Sequence, residues 1–492
     1  MRLRQSSWIL AIALIARAGG LQAQDQKPAG QSAAQPSGSS APILPMNSGL
    51  GPGYAKPPIP AARGVSSDYD SNAFDPSDVT PDQNTLAGAQ TFGMGSLAHV
   101  HNIFDPSISV SQLGLLSPPA APGQSNFTGS TLVGGIMNFS RNWGQYHFTA
   151  AYNGGETFTE GIGSAQSFFH DLILSQEIDW GRWHVILRDD FVASPGAAFT
   201  NTGMGGPGLS AQFFTTLGSS LTSIGQSFVP GETIQTGIAT RFRNASLGQA
   251  SYSLSRRAAF TVSGSYGFLT FPEAGYFSSR MYNAQAGYDY LLDPSNSVAI
   301  LGSYGKIDYT GTSISTTSYA AALAYGRKIT GRMAFQVEAG PEQIRSINAA
   351  GPYQLWFLSA NSNLGYAWRR GGVTLSFARG LNSGSGVFLG ETGNTFTGSG
   401  HYEFSRAWTG TVNSGYGIST SLAPAGVATT RFDNWYIGAN LGRRLGPHIQ
   451  FNFNYGLEEQ IGNAVCPVTS CGVNGFQQTF GMTVNWHLRP AG

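Results

Sequence analysis

From about residue 105 onward, apolar and polar positions alternate with a period of two. The clearest run sets Ile449, Phe451, Phe453, Tyr455 and Leu457 against Gln450, Asn452, Asn454, Gly456 and Glu458. Phe335, Val337 and Ala339 alternate with Gln336, Glu338 and Gly340. Phe260, Val262, Tyr266 and Phe268 alternate with Thr261, Ser263, Ser265 and Gly267. Successive side chains of a strand point to opposite faces, so each run predicts a strand with one apolar and one polar face. The polar members are mostly small. Asp289, Glu338, Glu403 and Gln450 are longer polar residues that fall on the same face and are expected to look into a lumen.

Short stretches rich in Arg, Gly and aromatic residues punctuate the runs. They lie at Ser140–Trp143, Trp180–Arg182, Ser255–Arg257, Gly326–Lys328, Trp368–Arg370, Ser405–Trp408 and Gly442–Arg444. Asp293-Pro294-Ser295-Asn296 is a variant without Arg. Arg327, Arg369, Arg406 and Arg443 follow one another at intervals of roughly 37–42 residues, the length of a hairpin plus a connection. Each stretch predicts a tight turn, and the connections between repeats are longer and rich in Gly, Ser, Thr and Asn. Short turns at one end and long loops at the other predict a transmembrane antiparallel up-and-down β-barrel over 106–488. The pattern gives about 18 strands, with 16 as the alternative; the weakly patterned Pro106–Leu116 is the ascending strand that an even count requires. A soluble propeller also repeats at about 40 residues, but its inner strands are apolar on both faces. These strands are one-sided.

The segments before the barrel read differently. Met1-Arg2-Leu3-Arg4, an apolar run from Trp8 to Ala16 and small residues up to Ala23 describe a secretory signal peptide over 1–23. The run is shorter than the roughly 20 residues a membrane-spanning helix needs. Residues 24–105 are rich in Pro, Gly, Ser, Ala and Gln, and cannot bury enough apolar surface to offset their ordering entropy. They predict a disordered periplasmic leader, with no folded plug domain and hence no energised uptake. Residues 489–492 form a short tail.

Composition agrees with an exported barrel. Charged residues are 11% of the 492 residues, against roughly 25% in soluble domains, and 66 residues are glycine. The mean hydropathy is nevertheless −0.11, so neutral polar residues have replaced the charges. That suits a wall with lipid on one side and water on the other. A net charge of +1 offers no basic face to nucleic acid.

The last strand alternates Phe480, Met482, Val484, Trp486 and Leu488 with Thr479, Gly481, Thr483, Asn485 and His487. Its stretch Gly481-Met482-Thr483-Val484-Asn485-Trp486 resembles the assembly signal that outer-membrane insertion machinery reads on final strands. The chain departs from that signal at Phe480 and in continuing to Gly492. With the repeat, the region resembles a Gram-negative outer-membrane barrel of porin-like type. The resemblance implies residence in the outer membrane, contact with its lipid and with the insertion machinery, and no cofactor.

Catalytic readings find little support. His170-Asp171 and Asp189-Asp190 sit in neighbouring strands, but adjacent residues point to opposite faces and cannot share one water. Gly203-Met204-Gly205-Gly206-Pro207-Gly208 lacks the strand and helix that would make a phosphate loop. No enzyme is expected, nor a metal set, because the histidines are scattered along the chain. Residues 193–244 break the repeat, and Gly203, Gly205, Phe213 and Phe214 are candidates for a loop that folds inward and constricts the lumen. Three functions remain open at this stage: a passive channel for small hydrophilic solutes or oligosaccharides, an exopolysaccharide-export barrel working with periplasmic machinery, and a structural or adhesive barrel with a closed lumen.

Cys466 and Cys471 are expected to pair in the last long loop. Closing so short a loop adds only about 2 kcal/mol in the chain-entropy account. Alkylation of unreduced protein followed by mass measurement should find no free thiol; two alkylated cysteines would refute the pairing.

Overall fold

The computed structural model describes residues 103–116, 127–160, 166–194, 240–330, 332–348, 351–368, 370–384, 386–405, 407–424, 429–462 and 475–488. Eighteen strands follow one another: β1 (Ile103–Leu116), β2 (Phe127–Trp143), β3 (Tyr146–Glu160), β4 (Gln166–Trp180), β5 (Trp183–Ser194) and β6 (Arg241–Ser253). Next come β7 (Ala258–Thr270), β8 (Ser279–Asp293), β9 (Asn296–Tyr309), β10 (Ser315–Thr330), β11 (Met333–Asn348) and β12 (Gly351–Trp368). The last six are β13 (Gly371–Asn382), β14 (Glu391–Glu403), β15 (Trp408–Ser421), β16 (Arg431–Leu445), β17 (Ile449–Gly462) and β18 (Gly475–His487).

All 18 belong to one antiparallel sheet in which every strand pairs with its chain neighbours and β1 pairs with β18. The sheet is a closed up-and-down barrel with no free edge. This settles the strand number at 18 and removes the propeller, which would need separate blades. β1 opens at Ile103, and Asp105 is buried on its inner face.

At one end the turns are short, as between β4 and β5 or β8 and β9; at the other, connections run as long as 195–240. Three of the basic stretches read as turns are the final residues of strands instead: Ser140–Trp143 in β2, Gly326–Lys328 in β10 and Gly442–Arg444 in β16. The chain reverses just after them. Arg stands there because of the outer rim: Arg141 lies 5.7 Å from the ring centre of Trp143, and Arg443 lies 5.0 Å from that of Trp408. An outward Arg at this level keeps its stem on apolar surface and its guanidinium among headgroups and aromatic faces. The turn without Arg is closed by its own side chain: Asp293 accepts from Ser295 N at 2.8 Å and from Asn296 Nδ2 at 2.7 Å.

On every strand the exposed large apolar side chains share one face. On β9 and β10 they are Ile300 and Tyr304, and Tyr319 and Leu323, with Ile300 directly opposite Leu323. The other face carries buried Ser, Thr, Asn, Asp and Glu. In a closed ring the exposed apolar face is the outer one, as a bilayer demands. The β10–β11 register is the same at Ala320↔Glu342 and at Leu323↔Ala339, on either side of Gly340-Pro341, and shifts only between Lys328 and Thr330. Proline has no N–H to give the ladder. A Cβ at Gly340 would run into the Ala321 carbonyl, so only glycine allows β10 to pass.

β18 follows the predicted register. Phe480, Met482 and Trp486 are exposed with Val484 on the same face, Thr483 and Asn485 are buried on the other, and Gly481 takes the Leu113 side chain against its backbone.

The outer belt makes a direct prediction. Ile300 lies four residues above its turn, well inside the apolar band. Ile300→Arg should destabilise the barrel in lipid vesicles by about 2–4 kcal/mol. Ser303→Arg, on the opposite face of β9, should cost much less, because an odd step along a strand reverses the face. Unfolding titrations of the two variants in vesicles check this; equal losses would invert the face assignment.

Candidate functional site

The inner wall is built by the polar half of each alternation. Asp289, Glu338, Glu403 and Gln450 all share a face with the buried polar residues of their own strands, opposite exposed Tyr288, Ile347, Tyr402 and Phe453. Asp289 and Gln450 are buried, Glu338 and Glu403 half-buried. Gly203, Gly205, Phe213 and Phe214, and likewise Cys466 and Cys471, lie outside the described residues.

Charges of both signs stand on this wall, and the arginines of β5 and β6 lie among carboxylates. β5 and β6 supply Arg188, Arg241 and Arg243, all turned inward. Arg188 Nε is 3.2 Å from Asp190 Oδ1, one step up the same face of β5. Across the ladders Asp171 of β4 pairs with Val192, and Val192 with Arg243, so acid and base stand on the same side two strands apart. Further inward carboxylates are Asp289 on β8, Glu338 and Glu342 on β11, and Glu391 and Glu403 on β14, with Lys328 of β10 and Arg444 of β16 on the same inner face. β14 stands nine strands from β5 in a ring of 18, diametrically across it.

A loop the sequence reading passed over reaches into the ring. Between β13 and β14, at the long-loop end, the described residues 383, 384 and 386–390 fold against side chains of other strands. The Phe388 ring packs on Phe432 of β16, centroids 5.6 Å apart. Leu389 packs on Met281, Ile307 and Tyr309 of β8 and β9. Tyr309 Oη donates to the Ser383 carbonyl at 3.1 Å, and Phe277 N donates to the Gly386 carbonyl at 2.8 Å. Gly386 has φ of 79°, and a Cβ there would meet the Phe271 ring, so glycine is needed for both conformation and space. The loop thus ties β16 to β8 and β9 across the end of the barrel. Its sequence signal was the apolar triplet Val387-Phe388-Leu389 inside a Gly/Ser-rich connection. An exposed loop has no use for such a triplet.

The adjacent acidic pairs separate as alternation requires. His170 faces outward, its Nδ1 2.9 Å from Tyr152 Oη, while Asp171 is buried on the inner face. Asp189 faces outward with Asn244 and Ser246, which donate to it, and Asp190 faces inward. Neither pair forms a catalytic dyad.

No protein-family model and no curated relative matches the chain. Among solved structures it is similar to Pseudomonas aeruginosa OpdQ, with 8% identity and a TM-score of 0.38, covering 79% of this chain and 99% of that one. It is also similar to P. aeruginosa OccK2 (OpdF), with 9% identity, a TM-score of 0.39 and coverage of 79% and 100%. A third is Acinetobacter baumannii OccAB3, with 6% identity, a TM-score of 0.38 and coverage of 78% and 99%.

The Arg188–Asp190 pair is nearly buried, which makes it testable. Arg188→Met leaves Asp190 with its nearest cation gone and should destabilise by about 3–5 kcal/mol. Adding Asp190→Leu should restore most of that loss, since replacing both partners removes the stranded charge. A double variant no more stable than Arg188→Met would show that the pair does not act as a unit.

Proposed function

We propose that this barrel is an outer-membrane channel of porin-like type, through which small hydrophilic solutes or oligosaccharides diffuse passively. The outward apolar belt suits lipid, with the short turns on the periplasmic side and the long loops outside. A ring of 18 strands is wide enough to leave an aqueous passage rather than a packed interior. The observation that carries the reading is the β13–β14 loop packed on inward side chains of β16, β8 and β9, inside a wall that carries fixed charges of both signs. A loop inside the mouth narrows the path, and the charges on the wall set the field along it. A solute crossing there is sorted by size and by how its charge is arranged, which is how rings of charged side chains confer selectivity. Nothing in this machinery calls for a cofactor or a reacting group. The buried polar wall favours a channel over a closed structural barrel, because an adhesive shell could fill its interior with apolar side chains.

Purified full-length protein in planar lipid bilayers should give discrete conductance steps. Removing residues 384–389 should raise the single-channel conductance, and Phe388→Ala, which loosens the loop's anchor on Phe432, should raise it less or make it flicker. Absence of any conductance in both the parent and the shortened protein would overturn the channel reading. Unchanged conductance on loop removal would refute the constriction.

A further inference from the structure

The outer face of β8–β11 changes character toward the long-loop end. Nearer the short turns it is apolar, with Tyr288, Ile300 and Leu323 exposed. Toward the long loops, among the described residues, it carries Arg280 of β8, Lys306 and Asp308 of β9, and Arg345 of β11. The registers make these residues neighbours. Arg280 stands opposite Asp308, and Lys306 and Arg345 both stand opposite Thr317 of β10. Lys306 and Arg345 are therefore two strands, roughly 10 Å, apart.

Lys306 Nζ donates to Asp308 Oδ2 at 2.8 Å, and the two side chains stay 40% and 37% exposed. The Arg345 guanidinium lies 5.6 Å from the centre of the Tyr319 ring. One carboxylate among three cations leaves an excess of two positive charges on this face. Hydrocarbon offers an outward cation no hydration, so these side chains belong at headgroup level. The exposed rings of Tyr282, Tyr304, Tyr319 and Trp356 mark the same level. On β16 the outward charge is matched instead, with Arg431 Nε 2.8 Å from Asp433 Oδ1.

Beneath the cations the wall is shallow. Ala286, Gly302 and Ala321 follow one another across β8, β9 and β10, all exposed. A Cβ added at Gly302 would meet nothing within 4 Å. The rings of Tyr304 and Tyr319, 5.4 Å apart, stand two residues to one side of this row, and Ile300 and Leu323 two residues to the other. The small residues thus form a trough between bulkier rows, of a width that takes a hydrocarbon chain.

We propose that this face binds one phosphorylated lipid of the outer leaflet, of the lipid A class. A phosphate sits between Lys306 and Arg345, and an acyl chain lies in the trough at Gly302. Guanidinium and ammonium groups give phosphate charge-assisted hydrogen bonds, and basic clusters at a membrane surface select anionic headgroups. A lipid with two phosphates matches the excess of two positive charges. The site rests on the long loops facing the outside and stands whether or not the barrel conducts.

The test uses full-length protein, delipidated in detergent and titrated with bisphosphorylated lipid A, with adducts read by native mass spectrometry. One lipid A per chain is expected, bound at least about tenfold more tightly than phosphatidylglycerol or dephosphorylated lipid A. Lys306→Gln and Arg345→Gln should each weaken it about tenfold, as loss of a charge-assisted hydrogen bond does. Gly302→Leu, which fills the trough without touching a charge, should weaken it as well. Arg431→Gln, which removes an outward cation elsewhere, should leave binding unchanged. Should a charge variant fail to fold by circular dichroism, Gly302→Leu and Arg431→Gln carry the test. Lipid A bound no better than phosphatidylglycerol overturns the proposal. Equal weakening by Arg431→Gln and Arg345→Gln overturns it too, because attraction would then be spread over the whole rim. Conductance of the same preparations in planar bilayers reports on the channel separately.

Discussion

Everything in this molecule depends on closing the sheet. Within hydrocarbon no water is at hand to take an unpaired N–H or C=O, and each such group costs several kcal/mol, so a spanning sheet can have no edge. The closure is made by β1 and β18, the first and last strands, paired from Ser107↔His487 to Leu116↔Gln478. Their inner faces are slim and polar: Ser107, Ser109 and Ser111 meet Thr483 and Asn485, with Ser111 Oγ and Thr483 Oγ1 2.9 Å apart. At the short-turn end His487 Nδ1 stands 3.2 Å from Asp105 Oδ2, and Leu488 N donates to the Pro106 carbonyl at 3.0 Å. The seam therefore extends one residue past β18, and β18 must be made before the ring can form.

Once the ring is closed, alternation does the rest. Each strand offers one face to lipid and one to the interior, and the chemistry a residue can perform is set by the parity of its position. Arg141 and Arg443 lean on aromatic rings at the outer rim, while Arg188 and Arg243 turn into the wall. Asp189 and Asp190 are neighbours in sequence and stand on opposite faces of a wall one strand thick. The same rule gathers distant residues. The His147–His184 cluster and the juxtaposition of Asp171 with Arg243 both exist because antiparallel registers place inward residues of neighbouring strands side by side.

The architecture was legible because a closed barrel leaves its mark on every strand. Runs such as Ile449–Glu458 and Phe335–Gly340 gave the faces, and the need for an even count found β1 in a stretch with little apolar signal of its own. Its Ile108 and Val110 between serines were the trace. Turn positions were read less well: an outward Arg beside Trp or Gly looks like turn chemistry, yet Arg141, Arg327 and Arg443 lie inside strands. The inward loop was missed because its glycines and serines match any long connection, and only Val387-Phe388-Leu389 betrays burial. The expected constriction at Gly203–Phe214 falls outside the described residues, so the loop at 383–390 adds to that reading without replacing it. The meeting of His147, Glu177, Asp179 and His184 was beyond reach of sequence. Nothing in a one-dimensional pattern reveals that Asn142 will hold one ring and Asp179 another.

The central claim is that parity along each strand decides between lipid and lumen. Spin labels placed one at a time at residues 335–339 of β11, in a background where Cys466 and Cys471 are replaced, test it most directly. In lipid vesicles, collision with oxygen, which concentrates in hydrocarbon, should be high at 335, 337 and 339 and low at 336 and 338. Collision with a water-soluble nickel chelate should follow the opposite order. A profile with no period of two, or one with the phases exchanged, would contradict the account.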